Sequence, residues 1–281
     1  MPRFFIFGLG YTASVIARAL EARGWEVIST GRSGTLSFDD EGSVRTALAD
    51  ADHVLSSVPP GKEARGEPLD PVLETYGDAL KGKALSYLSS TGVYGDAGGA
   101  WVDEASPIGT GRRTARAEAD REWQKRGARV YRLPGIYGQG RSILERVQEG
   151  RAHRIDLPGQ VFSRVHVEDI AAGGLAGIEK PAGAYTLADA LPCPQNWLVE
   201  HACALLNLPL PPLQTLDEAG LSPMARGFYA ENRRVANGKA KRVLGWRPRY
   251  PTYVAGLRAL SATMSPSVAS PAPVPASSDQ R

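Results

Sequence analysis

Gly8, Gly10 and Ala13 are the residues whose type and spacing speak most directly of chemistry. They lie in Phe4-Phe5-Ile6-Phe7-Gly8-Leu9-Gly10-Tyr11-Thr12-Ala13, an apolar run that breaks into Gly-x-Gly-x-x-Ala. In a strand-turn-helix unit, Gly8 permits the tight turn and Gly10 lets the backbone approach a pyrophosphate. Ala13 is small enough for the helix to pack against the strand, while the opening residues Tyr11, Thr12 and Ala13 turn their amides to the phosphates. The pattern predicts a bound dinucleotide. Its context agrees on both sides: Val15, Ile16, Ala19 and Leu20 recur at helical spacing, Gly24 marks a stop, and Trp25–Thr30 reads as a second strand.

The residues after that strand bear on which dinucleotide it is. An NAD-preferring protein places Asp or Glu there, where it accepts hydrogen bonds from the ribose hydroxyls and repels a 2′-phosphate. This chain has Thr30-Gly31-Arg32-Ser33. Arg32 is suited to pairing with a 2′-phosphate and lying on adenine, and the Ser33 hydroxyl adds a hydrogen bond. NADP(H) is therefore favoured over NAD(H). The competing reading makes Arg32 a solvated turn residue and gives the adenosine end to Asp39 or Asp40.

The elements that must position these residues alternate. Further strands are expected at His53–Val58, Ala84–Ser90 and Ala128–Leu133, separated by helix-length segments at 43–50, 70–81 and 114–126. Such alternation implies an α/β fold with a doubly wound parallel sheet covered on both faces. Ligands of such sheets sit beyond the carboxyl ends of the strands, so the loops starting at Gly8, Arg32, Pro59, Ser90 and Pro134 should converge on one crevice. Residues 1–140 form the expected dinucleotide-binding core. Residues 141–264 complete the sheet and supply a smaller C-terminal substrate lobe, including a helix at 194–206 and a basic segment at 233–242. Residues 265–281, nearly all Ser, Pro and Ala, are expected to be a disordered tail. Gly77-Asp78-Ala79-Leu80-Lys81-Gly82-Lys83 matches P-loop spacing, but Ala84 stands where Ser or Thr should hold magnesium, and helix precedes strand. It reads as a helix end and a turn.

Composition narrows the class. The 281 residues are 42% hydrophobic, enough for a substantial core, and 33 basic against 30 acidic residues are dispersed along the chain. That argues against a nucleic-acid partner. Two cysteines, Cys193 and Cys203, make no disulfide framework, and the four histidines show no metal-ligand spacing, so no metal is expected. No stretch approaches the roughly 20 apolar residues of a membrane span. A cytoplasmic protein acting on a small molecule is the expectation.

The glycine turn is followed by Leu88-Ser89-Ser90-Thr91-Gly92-Val93-Tyr94-Gly95, by Arg132-Leu133-Pro134-Gly135-Ile136-Tyr137-Gly138 and by Val165-His166-Val167-Glu168-Asp169-Ile170-Ala171. Together these resemble the extended short-chain dehydrogenase/reductases, the NAD-dependent epimerase/dehydratase family, and most closely an atypical branch of it. The similarity runs from about residue 3 to the Leu244–Thr252 region. It implies a Rossmann fold, cofactor contacts from the loops at Pro59 and Pro134, and a homodimer through the helices near 71–81 and 114–126.

The resemblance also implies roles and a gap. Counting back from Val93 assigns the hydroxyl that bonds the reacting oxygen to Ser90. The Tyr-x-x-x-Lys pair that moves the proton in this family falls on Thr110 and Thr114, and a threonine hydroxyl neither titrates near neutrality nor carries charge. Substitutes within reach are Arg112, Arg113, Tyr94 and Tyr137. Asp169 is expected to cap the helix that it opens, and His166 to bond within the fold. Where sugar-nucleotide epimerases carry a pyrophosphate-binding arginine this chain has Phe162, with Arg164 two residues further on; Arg164, Arg233 and Arg234 are candidates for an anionic subsite. Three functions follow: an NADP(H)-dependent oxidoreductase on a carbonyl or sugar-like substrate, a non-catalytic NADP(H)-binding sensor, and an epimerase or dehydratase with retained cofactor.

Overall fold

The computed structural model describes residues 1–61, 70–111 and 114–264. The first half alternates strictly: β1 (Arg3–Phe7), α1 (Tyr11–Glu21), β2 (Glu26–Ser29), α2 (Glu41–Asp50), β3 (His53–Ser56), α3 (Pro71–Tyr76) and β4 (Ala84–Ser90). A short β5 (Trp101–Val102) precedes α4 (Thr114–Lys125), β6 (Arg129–Leu133), β7 (Gly135–Tyr137), α5 (Ile143–Gln148) and β8 (Arg154–Ile155). The chain continues through β9 (Arg164–His166), α6 (Val167–Ala176), β10 (Gly183–Thr186), α7 (Gln195–Leu206) and β11 (Leu213–Gln214). It closes with α8 (Pro223–Phe228), β12 (Arg234–Val235) and α9 (Tyr253–Ser261).

Six strands form one parallel sheet in the order β10-β6-β4-β3-β1-β2. Every carboxyl end therefore lies on the same edge. Both faces are apolar, as the strand sequences require. On one face α1 and α6 pack with Ile16, Leu20, Ile170 and Trp246 in the core; on the other, α2, α3 and α4 contribute Leu48, Tyr76 and Trp123. The second face is pinned by Asp70, which caps α3 through Val72 and Leu73 and accepts from the Trp123 indole at 2.8 Å.

The lobe is built from α5, α7 and α9 around Leu144, Val199 and Leu257. Two two-stranded pairs, β7–β9 and β5–β12, join residues before 140 to those after it, and a third, β8–β11, lies within the lobe.

Three local expectations are corrected. The 70–81 helix stops at Tyr76, because Gly77 takes the C-cap position and residues after it run as turns toward Gly82, whose φ is +78°. Asp169 does not cap α6. His166 does, its Nδ1 accepting from the Glu168 amide, while the Asp169 carboxylate accepts from the Arg249 and Tyr250 amides and anchors that distant loop. The 233–242 segment is not confined to the lobe: Ala240, with Leu244 and Trp246 beyond it, is buried in the core under α1 and α6. The expected tail at 265–281 lies outside the described residues. Among those described, no helix is long and apolar enough to cross a membrane, and no His/Cys/Asp/Glu cluster could hold a metal ion. Both cysteines are buried and free.

Candidate active site

The glycine turn sits at the carboxyl end of β1, next to β3, where the strand order reverses. Gly8 adopts φ +81°, and a Cβ there would lie 3.0 Å from the Val58 side chain, so both conformation and space require glycine. Neighbouring strands hold the turn: the Gly8 amide donates to the Thr30 hydroxyl at 3.1 Å, the Leu9 amide to the Thr30 carbonyl at 2.7 Å, and the Ser57 hydroxyl to the Gly8 carbonyl. Gly10 differs. A Cβ at Gly10 would meet no atom of the chain within 4 Å. Gly10 is also the N-cap of α1 and no side chain caps that helix, which leaves the first-turn amides of Tyr11, Thr12 and Ala13 without a side-chain acceptor at the positive end of the dipole. Ala13 itself is buried against the sheet. These residues fit a diphosphate.

Around this cradle the other sequence-predicted residues take their places. Arg32 and Ser33 are exposed just beyond β2. They adjoin the cradle, since a Cβ on Gly31 would stand 3.0 Å from the Leu9 nitrogen. Pro59 follows β3 and is exposed. Tyr11 reaches across to the lobe, donating its hydroxyl to the Gln139 carbonyl at 3.1 Å while the Arg141 guanidinium lies 5.5 Å from its ring centre.

Ser90 and Pro134, from β4 and the end of β6, line one pocket together with Phe162, Ser163, Glu231 and Arg233. The Ser90 oxygen accepts from the Gly92 amide at 3.1 Å, which leaves its own proton to donate. The loop after Ser90 is sewn to the lobe: Arg233 donates to the Gly95 carbonyl and pairs with Glu231, Arg234 donates to the Gly99 carbonyl, and the Asp96 carboxylate accepts from the Asn232 amide. Arg233 and Arg234 are thus fasteners rather than free hydrogen-bond donors to an anion. Glu231 gave no signal in the sequence, and Arg233, a candidate there for an anionic subsite, comes beside Ser90 only through the long-range pairing of β12 with β5.

Of the substitutes for the tyrosine and lysine, Arg112 and Arg113 lie outside the described residues. Tyr94 is buried, its hydroxyl engaged by Arg132 at 3.1 Å and by Thr186 at 3.3 Å. Tyr137 shares the larger cleft beyond, but its hydroxyl is buried without a hydrogen-bond partner among the described residues and packs onto Gly256 of α9. Burial, then the charges of Asp189 and Asp169, push its pKa far up. A hydroxyl so enclosed is badly placed to give a proton to a substrate. Thr110 donates to the Tyr94 carbonyl at 2.9 Å, and Thr114 is exposed at the start of α4. His166 is buried and its pKa lowered by that burial, as befits a structural cap.

Beneath the pocket lies a network that no local pattern announced. Arg132 and Asp120 form a fully buried two-pronged pair at 2.9 and 3.0 Å, to which the Ser89 hydroxyl and the Gln124 amide add bonds of 2.7 Å. Ser89 precedes Ser90, so the pair fixes the strand end that presents the hydroxyl.

No protein-family model matches the chain. A conserved protein of unknown function from Silicibacter pomeroyi is 40% identical and superimposes with a TM-score of 0.79, covering 93% of this chain and 99% of that one. Human epimerase family protein SDR39U1, solved with NADPH, shares the fold at 15% identity and a TM-score of 0.76, over 93% of this chain and all of that one (100%). A 3-diazoavenalumate denitrifying reductase from Streptomyces is 30% identical over 141 residues; the match covers 46% of this chain and 45% of that protein, less than half of each. With its glycine turn, its Ser-Thr-Gly-Val-Tyr-Gly and His-Val-Glu-Asp-Ile motifs and this parallel sheet, the chain has the Rossmann-like fold that its structural neighbours SDR39U1 and an NAD-dependent epimerase/dehydratase from Methylobacillus flagellatus also show.

Proposed function

We propose that the protein is an NADP(H)-dependent oxidoreductase that reduces a carbonyl or comparably electrophilic group on a small molecule held against Ser90. The observation that carries this is the uncapped N-terminus of α1 behind Gly10, on the same sheet edge as the Ser90 pocket. Tyr11, Thr12 and Ala13 would hold the diphosphate, Arg32 and Ser33 the 2′-phosphate, and the Pro59 and Pro134 loops the remainder. When bound, the coenzyme supplies a hydride. Ser90 would donate a hydrogen bond to the substrate oxygen and lower the energy of the negative charge that develops there, with solvent water as the source of the proton that completes the reduction. Glu231 and Arg233 fix the far wall, and the Arg132–Asp120 pair holds the strand end rigid. The NADPH named with SDR39U1 and the reductase name of the Streptomyces relative support this reading.

Titration with NADPH and NADH by calorimetry, followed by NADPH consumption on a panel of aldehydes, quinones and enones, tests it. Micromolar NADPH affinity is expected, with turnover on one substrate class that Ser90→Ala reduces by about 100-fold. Turnover untouched by Ser90→Ala would remove the serine from the mechanism. Tight coenzyme binding with no turnover on any class would favour a sensor, the reading supported by Thr110 and Thr114 in place of the tyrosine and lysine.

A further inference from the structure

Beyond the Ser90 pocket, and joined to it through Phe162, Ser163 and Phe228, lies a cleft of ≈ 640 Å³ between α5, α7 and α8. Its charge is lopsided. Arg164 lines it and is only 6% exposed, yet among the described residues no carboxylate forms an ion pair with it; its bonds go to the Phe162 and Cys193 carbonyls, the Cys193 sulfur and the Gln195 side-chain oxygen. Arg146 lines it too, and its guanidinium makes no hydrogen bond or ion pair with any described residue. The cleft's carboxylates are already engaged: Glu145 accepts from the Gly140 and Ser142 amides, and Glu149 pairs with Arg151. The Asp189 carboxylate interacts with Arg164 through space but forms no ion pair with it, and a buried cation without a close partner is costly unless a ligand provides one. The wall between the two arginines is apolar, with Phe162 and Tyr229 meeting edge to face at 5.4 Å.

We infer that this cleft is the substrate subsite and that it selects a small organic acid: a carboxylate held by Arg146 and Arg164, and a flat apolar body lying on Phe162 and Tyr229. This rests on the coenzyme reading above only for the direction in which the substrate points, with its electrophilic end toward Ser90. One buried and one free guanidinium match a single carboxylate, and an aromatic wall fits a ring better than a hydroxyl-studded sugar.

The test uses the full chain saturated with NADP⁺ and titrated with cinnamate, cinnamamide and UDP-glucose, followed by protein-observed NMR. Cinnamate is expected to bind at least about tenfold more tightly than its uncharged amide, a preference that Arg146→Met cuts to near unity while NADP⁺ affinity stays unchanged. Arg164→Gln should do the same; if that variant does not fold, Arg146→Met decides. Equal affinity for acid and amide, no binding of either at millimolar concentration, or preferential binding of UDP-glucose overturns the inference. Acid preference that persists when NADP⁺ fails to bind keeps the subsite and sinks the coenzyme reading; NADP⁺ binding without acid preference does the reverse.

Discussion

Asp120 and Arg132 are locked in a two-pronged ion pair with both side chains sealed from solvent, at 2.9 and 3.0 Å. Removing one partner strands the other charge in the interior. Asp120→Ala is therefore expected to lower stability by about 3–5 kcal/mol, whereas the double replacement Asp120→Leu/Arg132→Met recovers most of it. Urea denaturation of the three proteins checks this; a double variant no more stable than the single one would show that the hydrogen bonds to Ser89 and Tyr94, rather than the charges, carry the network.

Gly8 and Gly10 should respond differently to the same change. Gly8→Ala forces a side chain into a left-handed backbone against Val58 and is expected to destabilise by about 1–3 kcal/mol. Gly10→Ala meets no protein atom, so its stability should move by no more than about 1 kcal/mol while NADPH affinity falls by at least about tenfold. Thermal unfolding paired with calorimetry separates the two. Undiminished coenzyme affinity in Gly10→Ala would mean that nothing approaches that backbone.

Arg32→Ala should weaken NADPH binding by about 10- to 100-fold and leave NADH binding within about twofold. The ratio of the two dissociation constants is the readout. An unchanged ratio transfers the adenosine end to Asp39 or Asp40.

Asp189 gives stability a pH dependence of definite sign. Burial pushes its pKa up to about 7, against the lowering effects of the Leu191 amide and Arg164, and one of its oxygens has no partner. Below about pH 4 the carboxyl is protonated whether the chain is folded or not. As pH rises toward 7 the unfolded chain ionises first, so the folded state loses stability, on the order of 2–4 kcal/mol by neutrality. Asp189→Asn should flatten that slope, and it should be more stable than the parent at pH 8 and not at pH 4. Parallel slopes for the two proteins would assign the dependence elsewhere.

The sheet was legible because each strand is a short apolar run ended by Gly, Pro or Ser, and parallel connection places all such ends on one edge. Hence Gly8, Arg32, Pro59, Ser90 and Pro134 could be gathered in advance. Asp169 misled because an acid at a helix start is ordinarily a cap, and only tertiary placement of the 249–250 loop gives it other work. Glu231, Arg146 and the Asp120–Arg132 pair were invisible for a related reason. Tertiary packing rather than local spacing sets their surroundings, and isolated charges in a chain with 33 basic and 30 acidic residues carry no pattern.

The strap from Glu231 to Val235 joins, through Arg233, Arg234, Asn232 and β12, the segment that follows Ser90. Specificity and scaffold consequently share the same residues at that wall. Changes at that wall would loosen the scaffold, whereas the Arg146 guanidinium, which holds no other described side chain, is where an engineer should start.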